Sequence, residues 1–380
     1  ADKNLEAISA FSASNIGNYY ISTKFAKSKE SEIYKAWAWG NYKYQSKSKK
    51  NLLYVKEQKE LDFLTFYSDC MNFSRDLINS PANKLNPSTY YSKIKNNNLF
   101  KSFNFIDYTE KEINSNFPLT CAVGKSSSSK PKVIEITNRK LSKKDKPLVI
   151  IGKGVTFDTG GVNIKPGTSM RNMKKDMGGS AIAISLFLLA NYFLKKTKIV
   201  LIAPIAENAI SSKSMRPGDV YSSVSGKSVE IAHTDAEGRL LLADAIEKAS
   251  SYNPCMIIDF ATLTGAARVA LGEDLPAYFC NNETFAKKIE NLNKEKLRCW
   301  RLPLYSPYLF KIKSQVADLS NASLDGMAGS ITAALFLQEF LKSPNIPWFH
   351  FDTFAWSQDS KGAALQGLDI MSDFLRKNFN

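Results

Sequence analysis

Four runs of apolar, often β-branched residues recur along the chain: PLVIIGKG from Pro147, KIVLIAPIA from Lys198, CMIIDFATLTG from Cys255 and IPWFHFDTFAW from Ile346. Each run is continuous rather than alternating, the pattern of strands buried on both faces of a sheet. Stretches with apolar residues at helical spacing separate them, at Gly178 to Leu194, Arg239 to Ala249 and Ile331 to Leu341. Strands and helices in alternation predict an α/β fold, a central sheet, mostly parallel or mixed, with helices on both faces. Such sheets place ligands beyond the carboxyl ends of their strands, so the loops after these runs are where chemistry is to be sought.

Upstream the pattern changes. A long helix is predicted from Glu57 to Ile78, and Pro81 and Pro87 interrupt the chain after it. Before it, Lys, Ser, Asn and Tyr dominate, the stretch 46–51 acts as a breaker, and LLYV (Leu52 to Val55) is a short strand candidate. Residues 1–56 are therefore read as a short N-terminal module, an incomplete domain, and residues 57–380 as the main domain.

Composition narrows the function classes. Of 380 residues 44% are hydrophobic and 23% charged, which leaves ample apolar mass for a buried core. The longest apolar run, Ala181 to Leu194, includes Ser185 and Asn191 and falls short of the roughly 20 residues of a membrane span, so no membrane is expected. Five scattered cysteines with no CxxC spacing argue against a disulfide framework or a zinc knuckle and for a reducing compartment. The first residues show no basic region followed by an apolar one, and a cytoplasmic location is the expectation. Lys plus Arg exceed Asp plus Glu by 51 to 36, a net charge of +15. That balance attracts polyanions, and lysines such as Lys47, Lys49 and Lys50 motivate a nucleic-acid-binding alternative, though nucleic acid is not the expected partner. Two histidines, His233 and His350, are too few for a His-rich metal site.

Two loops concentrate chemistry-bearing residues. Ile151 to Ala181 holds Lys153, Asp158, Lys165 and Asp176 among seven glycines, a density that lets side chains converge on a small ligand. Neither GxxxxGK[ST] nor GxGxxG is present, which counts against nucleotide binding. Val229 to Ala245 carries Asp235 and Glu237 just before a helix opened by Gly238 and Arg239. Two residues apart in an extended segment, they point to one side and bite one centre, unless they merely cap the helix. Four carboxylates after neighbouring strands repel one another unless cations neutralise them, and oxygen donors suit Mg, Mn or Zn. Four carboxylates also suffice to bridge two ions, the arrangement used for hydrolysis. A neutral lysine amine is a further candidate ligand, and spacing alone does not choose between Lys153 and Lys165.

HTDAEGRL, His233 to Leu240, is one residue away from NTDAEGRL, the signature octapeptide of the leucyl (cytosol) aminopeptidase family, which this chain resembles. KGVTFDTGG, IKP and MKKDMGGSA also resemble that family's metal-binding stretch. Further matches run through NSPAN (Asn79 to Asn83), AENAISSKSMRPGDV (Ala206 to Val220), DFATLTGA (Asp259 to Ala266) and AGSITAALFLQEF (Ala328 to Phe340). The resemblance implies that residues 57–380 are a metallopeptidase catalytic domain with a leucine-aminopeptidase-like fold. It implies a two-metal aminopeptidase that removes the N-terminal residue, preferably a large apolar one such as Leu or Met, from short peptides through a metal-bridging water. Lys153, Asp158, Asp176 and Glu237 would hold one divalent ion, and Asp158, Asp235 and Glu237 the other, with Mn or Zn foremost and Mg or Co as alternatives. Lys165 matches the family's electrophilic lysine, and Arg239 the arginine that holds bicarbonate. Met173, Thr262, Leu263 and Gly265 fall where the family binds the first side chain. The family's assembly is a homo-oligomer, a hexamer of two stacked trimers.

Two departures stand out. His233 replaces the family's asparagine beside the metal-binding pair, and the segment before the main domain is shorter than the family's N-terminal domain. Glu207, Asp219, Asp244 and Asp352 match no family ligand and are read as caps, turns or partners of the ligands. His350 is read as a satisfied core histidine, and an inactive metal-binding scaffold is the remaining alternative.

Overall fold

The computed structural model describes residues 3–14, 17–22, 25–45, 51–357 and 362–379. The lysines at 47, 49 and 50 lie outside the described residues.

A nine-stranded mixed sheet forms the centre. Its middle is parallel: Trp348–Asp352, Met256–Ala261, Leu148–Gly152 and Ile199–Asn208 lie side by side. Antiparallel strands flank that middle, Ala277–Cys280 on one side and Lys132–Thr137 then Asn104–Ile106 on the other, with Trp300–Arg301 at one edge. The run from Leu148 breaks into two strands. Leu148–Gly152 pairs with the first half of Ile199–Asn208, and Gly154–Asp158 pairs with its second half.

Successive side chains of a strand point to opposite faces, and here both faces are dry. Ile150, Ile258 and Phe260 belong to one core, built with the helices Gln58–Asn79, Gly178–Phe193 and Leu368–Asn378. Val149, Ile151, Val200 and Ile257 belong to the other, built with Pro118–Gly124, Gly238–Ser251 and Gly329–Gln338. Burial on both faces explains why the strands read as unbroken apolar runs. With the turn before it, the apolar helix reaches Met173–Phe193, 21 residues, which on length and hydropathy alone would cross a bilayer. It lies buried against the sheet instead.

The long helix runs Gln58–Asn79. Before it, helices Lys3–Ser14 and Lys27–Gly40 pack together, and the short strand Leu52–Leu53 pairs in parallel with Asn18–Tyr19. Arg75 on the long helix fastens this part down, with its guanidinium 3.9 Å from the ring centroids of both Trp39 and Tyr42. Arg75 Nη1 donates to Trp39 O, and Nε donates to Ala363 O near the far end of the chain.

His350 is fully buried, stacked between Phe279 and Trp348. Its Nδ1 lies 2.5 Å from Asp259 Oδ1, but among the described residues Nε2 has no hydrogen-bond partner, so this core histidine is half satisfied.

Candidate active site

The strand ends deliver the site. Asp158 closes its strand, Asn208 closes the neighbouring one, and Thr262 and Thr353 follow directly on two more. Lys153 sits in the break between the two strands of its run. Its N–H donates to Phe260 O, and its carbonyl accepts from Ser180 N, which fixes the backbone so that the side chain crosses toward the Gly238–Ser251 helix. Gly238 has no Cβ, and Lys153 fills that space.

The ammonium of Lys153 is 2.8 Å from Asp176 Oδ2 and 3.1 Å from Glu237 Oε1, and it donates to Thr262 O at 2.7 Å. Lys165 Nζ is 2.9 Å from Asp158 Oδ2 and also contacts Asp235. One cluster thus gathers Lys153, Asp158, Lys165, Asp176, Asp235 and Glu237. Carboxylate oxygens of Asp158, Asp235 and Glu237 all lie within 4.8 Å of one another.

Asp235 and Glu237 converge differently from an extended pair. The chain turns at Thr234 and Asp235, with Ala236 N donating to His233 O, and Glu237 already has helical φ and ψ of −75° and −34°. Although Glu237 stands at the helix N-cap position, its carboxylate makes no cap and faces Lys153. Three asparagines outside the expected ligand set, Asn321, Asn163 and Asn208, hold this turn. Asn321 Oδ1 accepts from Ala232 N and His233 N, while Asn321 Nδ2 donates to His233 O. Asn163 Oδ1 accepts from Thr234 N, and Thr234 Oγ1 donates to Gly160 O. Asn208 Nδ2 bridges Asp158 Oδ1 and Thr234 O, tying the two loops together. His233 is exposed, and its Nδ1 accepts from Asp235 N at 3.2 Å, the bond to residue i+2 that an asparagine side chain makes in an Asx turn.

Burial and mutual repulsion set the protonation. Desolvation and the neighbouring Asp158 push Asp235 up to about 7 and Glu237 up to about 8, and desolvation also raises Asp176. Burial works against ionised Asp158 too, but Lys165 and Lys153 outweigh it and hold its carboxyl below the ordinary range. Both lysines are held above theirs, because the carboxylates outweigh the cost of burying them. Four carboxyl groups thus face two ammoniums, and the surplus keeps protons on Asp235 and Glu237 near neutrality.

The donor set fits divalent cations. Among the described residues the buried Glu237 Oε2 has no hydrogen-bond partner, and Asp176 Oδ2 and Asp235 Oδ1 meet their lysines at ion-pair distance without hydrogen-bond angles. Buried carboxylate oxygens left in this state, with an amine nearby, are the ligand chemistry of hard and borderline divalent ions. Arg239 is buried as well, and among the described residues its Nε and Nη1 have no hydrogen-bond partner, while burial pulls the guanidinium down to about 10 against the pull of Glu237 and Asp352. Two unspent donors on a planar cation fit a small planar oxyanion.

A sequence profile described as the cytosol aminopeptidase family, catalytic domain, matches residues 72–371. This chain belongs to the cytosol aminopeptidase family. The probable cytosol aminopeptidase of Syntrophotalea carbinolica is 38% identical over 295 residues, 77% of this chain and 59% of that protein. The cytosol aminopeptidase of Encephalitozoon cuniculi is 40% identical over 291 residues, 75% of this chain and 59% of that one. The chain thus spans less than two thirds of the length of these curated relatives. Among solved structures, a cytosol aminopeptidase from Coxiella burnetii superposes with a TM-score of 0.89 at 36% identity, covering 98% of this chain and 84% of that one. The bottromycin maturation enzyme BotP, in complex with Mn, gives 0.87 at 26% identity, over 99% of this chain and 88% of that one.

Of Met173, Thr262, Leu263 and Gly265, expected from the sequence to border the first side chain, Thr262 touches the cluster directly. Thr262 Oγ1 donates to Asp176 O at 2.9 Å and Oδ1 at 2.8 Å. Leu263 N and Thr264 N donate to Asp352 Oδ1, which fixes the loop that leads into the helix Gly265–Leu271. Gly265 faces open space, and Met173 begins the 3-10 turn Met173–Met177 that carries Asp176. The other unmatched acids have structural partners: Asp244 accepts from Thr120 N and Oγ1, Asp219 from Arg216 and Tyr221, and Glu207 from Ser127.

Proposed function

We propose that this chain is a two-metal aminopeptidase that removes the first residue from short peptides. The observation that carries the reading is the cluster of Lys153, Asp158, Asp176, Asp235 and Glu237 beyond the strand ends, in which, among the described residues, the buried Glu237 Oε2 has no hydrogen-bond partner. Lys153, Asp158, Asp176 and Glu237 would hold one divalent ion, and Asp158, Asp235 and Glu237 the other. Mn or Zn is the first choice, since BotP was solved with Mn, and Mg or Co suits the same oxygens. When bound, such ions supply Lewis-acid polarisation of a carbonyl and an acidified water.

The chain's own groups do the rest. Lys165, 16% exposed at its side chain, presents an ammonium at the mouth of the cluster, where it stabilises negative charge growing on the scissile carbonyl oxygen. Arg239 would hold bicarbonate on its Nε and Nη1, and that ion would supply an acceptor and donor for a proton of the attacking water. Asp176 and its neighbours attract the substrate's amino group, and Met173, Thr262, Leu263 and Gly265 border the first side chain, suiting an apolar residue such as Leu or Met. The protein assembles as a hexamer in the cytoplasm, where all five cysteines remain free thiols. Light scattering at low and physiological salt, where a monomer at both with full activity would rule the assembly out, checks the hexamer.

Asp235→Ala and Glu237→Ala test the core of the reading. Each removes a ligand, so peptide hydrolysis and bound metal should both be lost while the circular dichroism spectrum is kept. Near wild-type turnover with full metal content in either variant places the site elsewhere.

A further inference from the structure

Lys175 precedes Asp176 on the 3-10 turn, yet it takes no part in the cluster. It is 4% exposed, and among the described residues its ammonium donates no hydrogen bond and enters no ion pair. That ammonium instead lies 4.3 Å from the centroid of the Phe354 ring. The guanidinium of Arg268, an exposed residue one turn into the Gly265–Leu271 helix, lies 4.9 Å from the same ring. An aromatic face attracts a cation but spends none of its N–H donors, so this nearly buried side chain keeps its ammonium donors for an acceptor that arrives from outside.

The position of this trio decides what that acceptor is. Asp176 is tied to Thr262 by two hydrogen bonds, so Lys175 stands beside the loop that borders the first side chain. Phe354 follows Thr353, whose N–H donates to Ala261 O, and thus continues the same border. Gly178 brings Thr262 and Ala355 together, since a Cβ there would be 2.2 Å from Ala355 Cβ and 3.4 Å from Thr262 Cγ2. The strand end that carries Phe354 therefore lies against the one that carries Thr262, and two cations lie against the Phe354 ring.

We infer that the first-residue pocket takes an acidic side chain, glutamate in preference to aspartate, with its methylenes along that border and its carboxylate between Lys175 and Arg268. Glutamate matches leucine in the reach of its stem, so the same border serves both, and only glutamate uses the cations. Aspartate is one methylene shorter. The chemistry recognised is a carboxylate, and a dipeptide's own C-terminus is a second source of it.

The inference rests on the aminopeptidase reading above, and substrates separate the two. With the Mn-loaded full chain, kcat/KM is measured for the p-nitroanilides of Glu, Gln, Asp and Leu, which have no C-terminal carboxylate, and for Leu-Gly against Leu-Gly-amide. Glu should exceed its isostere Gln by about tenfold or more, the usual scale of a hydrogen bond to a charged group. Lys175→Met should erase that ratio, lowering Glu at least tenfold more than Leu. Arg268→Gln, on the surface and so no risk to folding, should reduce it by a smaller factor. Equal rates for Glu and Gln alongside good turnover of Leu overturn the inference and leave the aminopeptidase reading standing, as does an equal loss for Glu and Leu in Lys175→Met. A Lys175-dependent advantage of Leu-Gly over its amide, without one for Glu, assigns the cations to the C-terminus and overturns it too. No hydrolysis of any of these substrates overturns both.

Discussion

A Cβ on Gly238 would stand 2.4 Å from Lys153 Cε and 2.6 Å from its Nζ. The first residue of one helix and a lysine in a strand break therefore share a space that only one of them can fill. Gly238→Ala should push Lys153 off Asp176 and Glu237 while favouring the helix itself, since Ala is the better helix former. The expected result is at least about a tenfold loss of metal affinity by calorimetric titration, the low end of what displacing a ligand's supports costs, with the melting temperature little changed. Unchanged affinity would mean that Lys153 does not hold the ion.

Lys165→Ala separates holding ions from working on the substrate. The lysine pairs with Asp158 and Asp235, and its side chain is the more accessible of the two cluster lysines. The variant should keep its metal content by elemental analysis and lose kcat by about 100-fold or more, the scale of removing one group that stabilises a developing oxyanion. Loss of metal in its place would make Lys165 a ligand.

Asp244 gives a pH dependence away from the cluster. Burial pushes its carboxyl up to about 8, against the hydrogen bonds from Thr120 N and Oγ1, and its Oδ1 has no partner. An acid whose folded pKa is raised binds its proton more tightly folded than unfolded. Its contribution to stability is full below the ordinary carboxylate range, falls as pH rises toward about 8, and is gone above that. Asp235 and Glu237 act with the same sign, so the informative quantity is the difference between proteins. Asp244→Asn keeps an acceptor for Thr120 and removes the ionisation. Its melting temperature should fall less than the wild type's between pH 5 and 9, and parallel curves would show that Asp244 ionises freely.

Arg75→Met tests the clamp on the first 45 residues. It removes the guanidinium from between Trp39 and Tyr42 and the bonds to Trp39 O and Ala363 O, at a cost of about 2 kcal/mol or more in urea unfolding. Limited proteolysis should then cut before the long helix well before the sheet is digested. A cleavage pattern like the wild type's would show that the other contacts suffice.

The sheet was legible because its central strands are dry on both faces, so apolar runs stand out without any knowledge of their partners. The break at Lys153 was not, because PLVIIGKG and the residues after it read as one run, and only the exchange of pairing along Ile199–Asn208 divides them. Lys153, Asp158, Lys165, Asp176, Asp235 and Glu237 were found from their motifs, and the structure gathers all six. The means of gathering escaped the sequence. An extended segment is expected at Asp235 and Glu237, yet a turn presents them, held by Asn321 and Asn163 from 88 and 71 residues away. Single asparagines far along the chain carry no local pattern. Nor does Phe354, which gains its meaning only when Lys175 and Arg268 arrive from two other loops.

The two ammoniums in the carboxylate cluster bear on how the proposed ions enter. Lys153 and Lys165 neutralise half the charge that would otherwise drive the loops apart, and Asp235 and Glu237 shed more of it by holding protons near neutrality. Structural zinc domains differ, since they stay unfolded until the ion arrives. Here ammoniums and protons already balance the carboxylates, and the proposed ions would displace them on binding. Metal uptake would then release protons and strengthen as the pH rises.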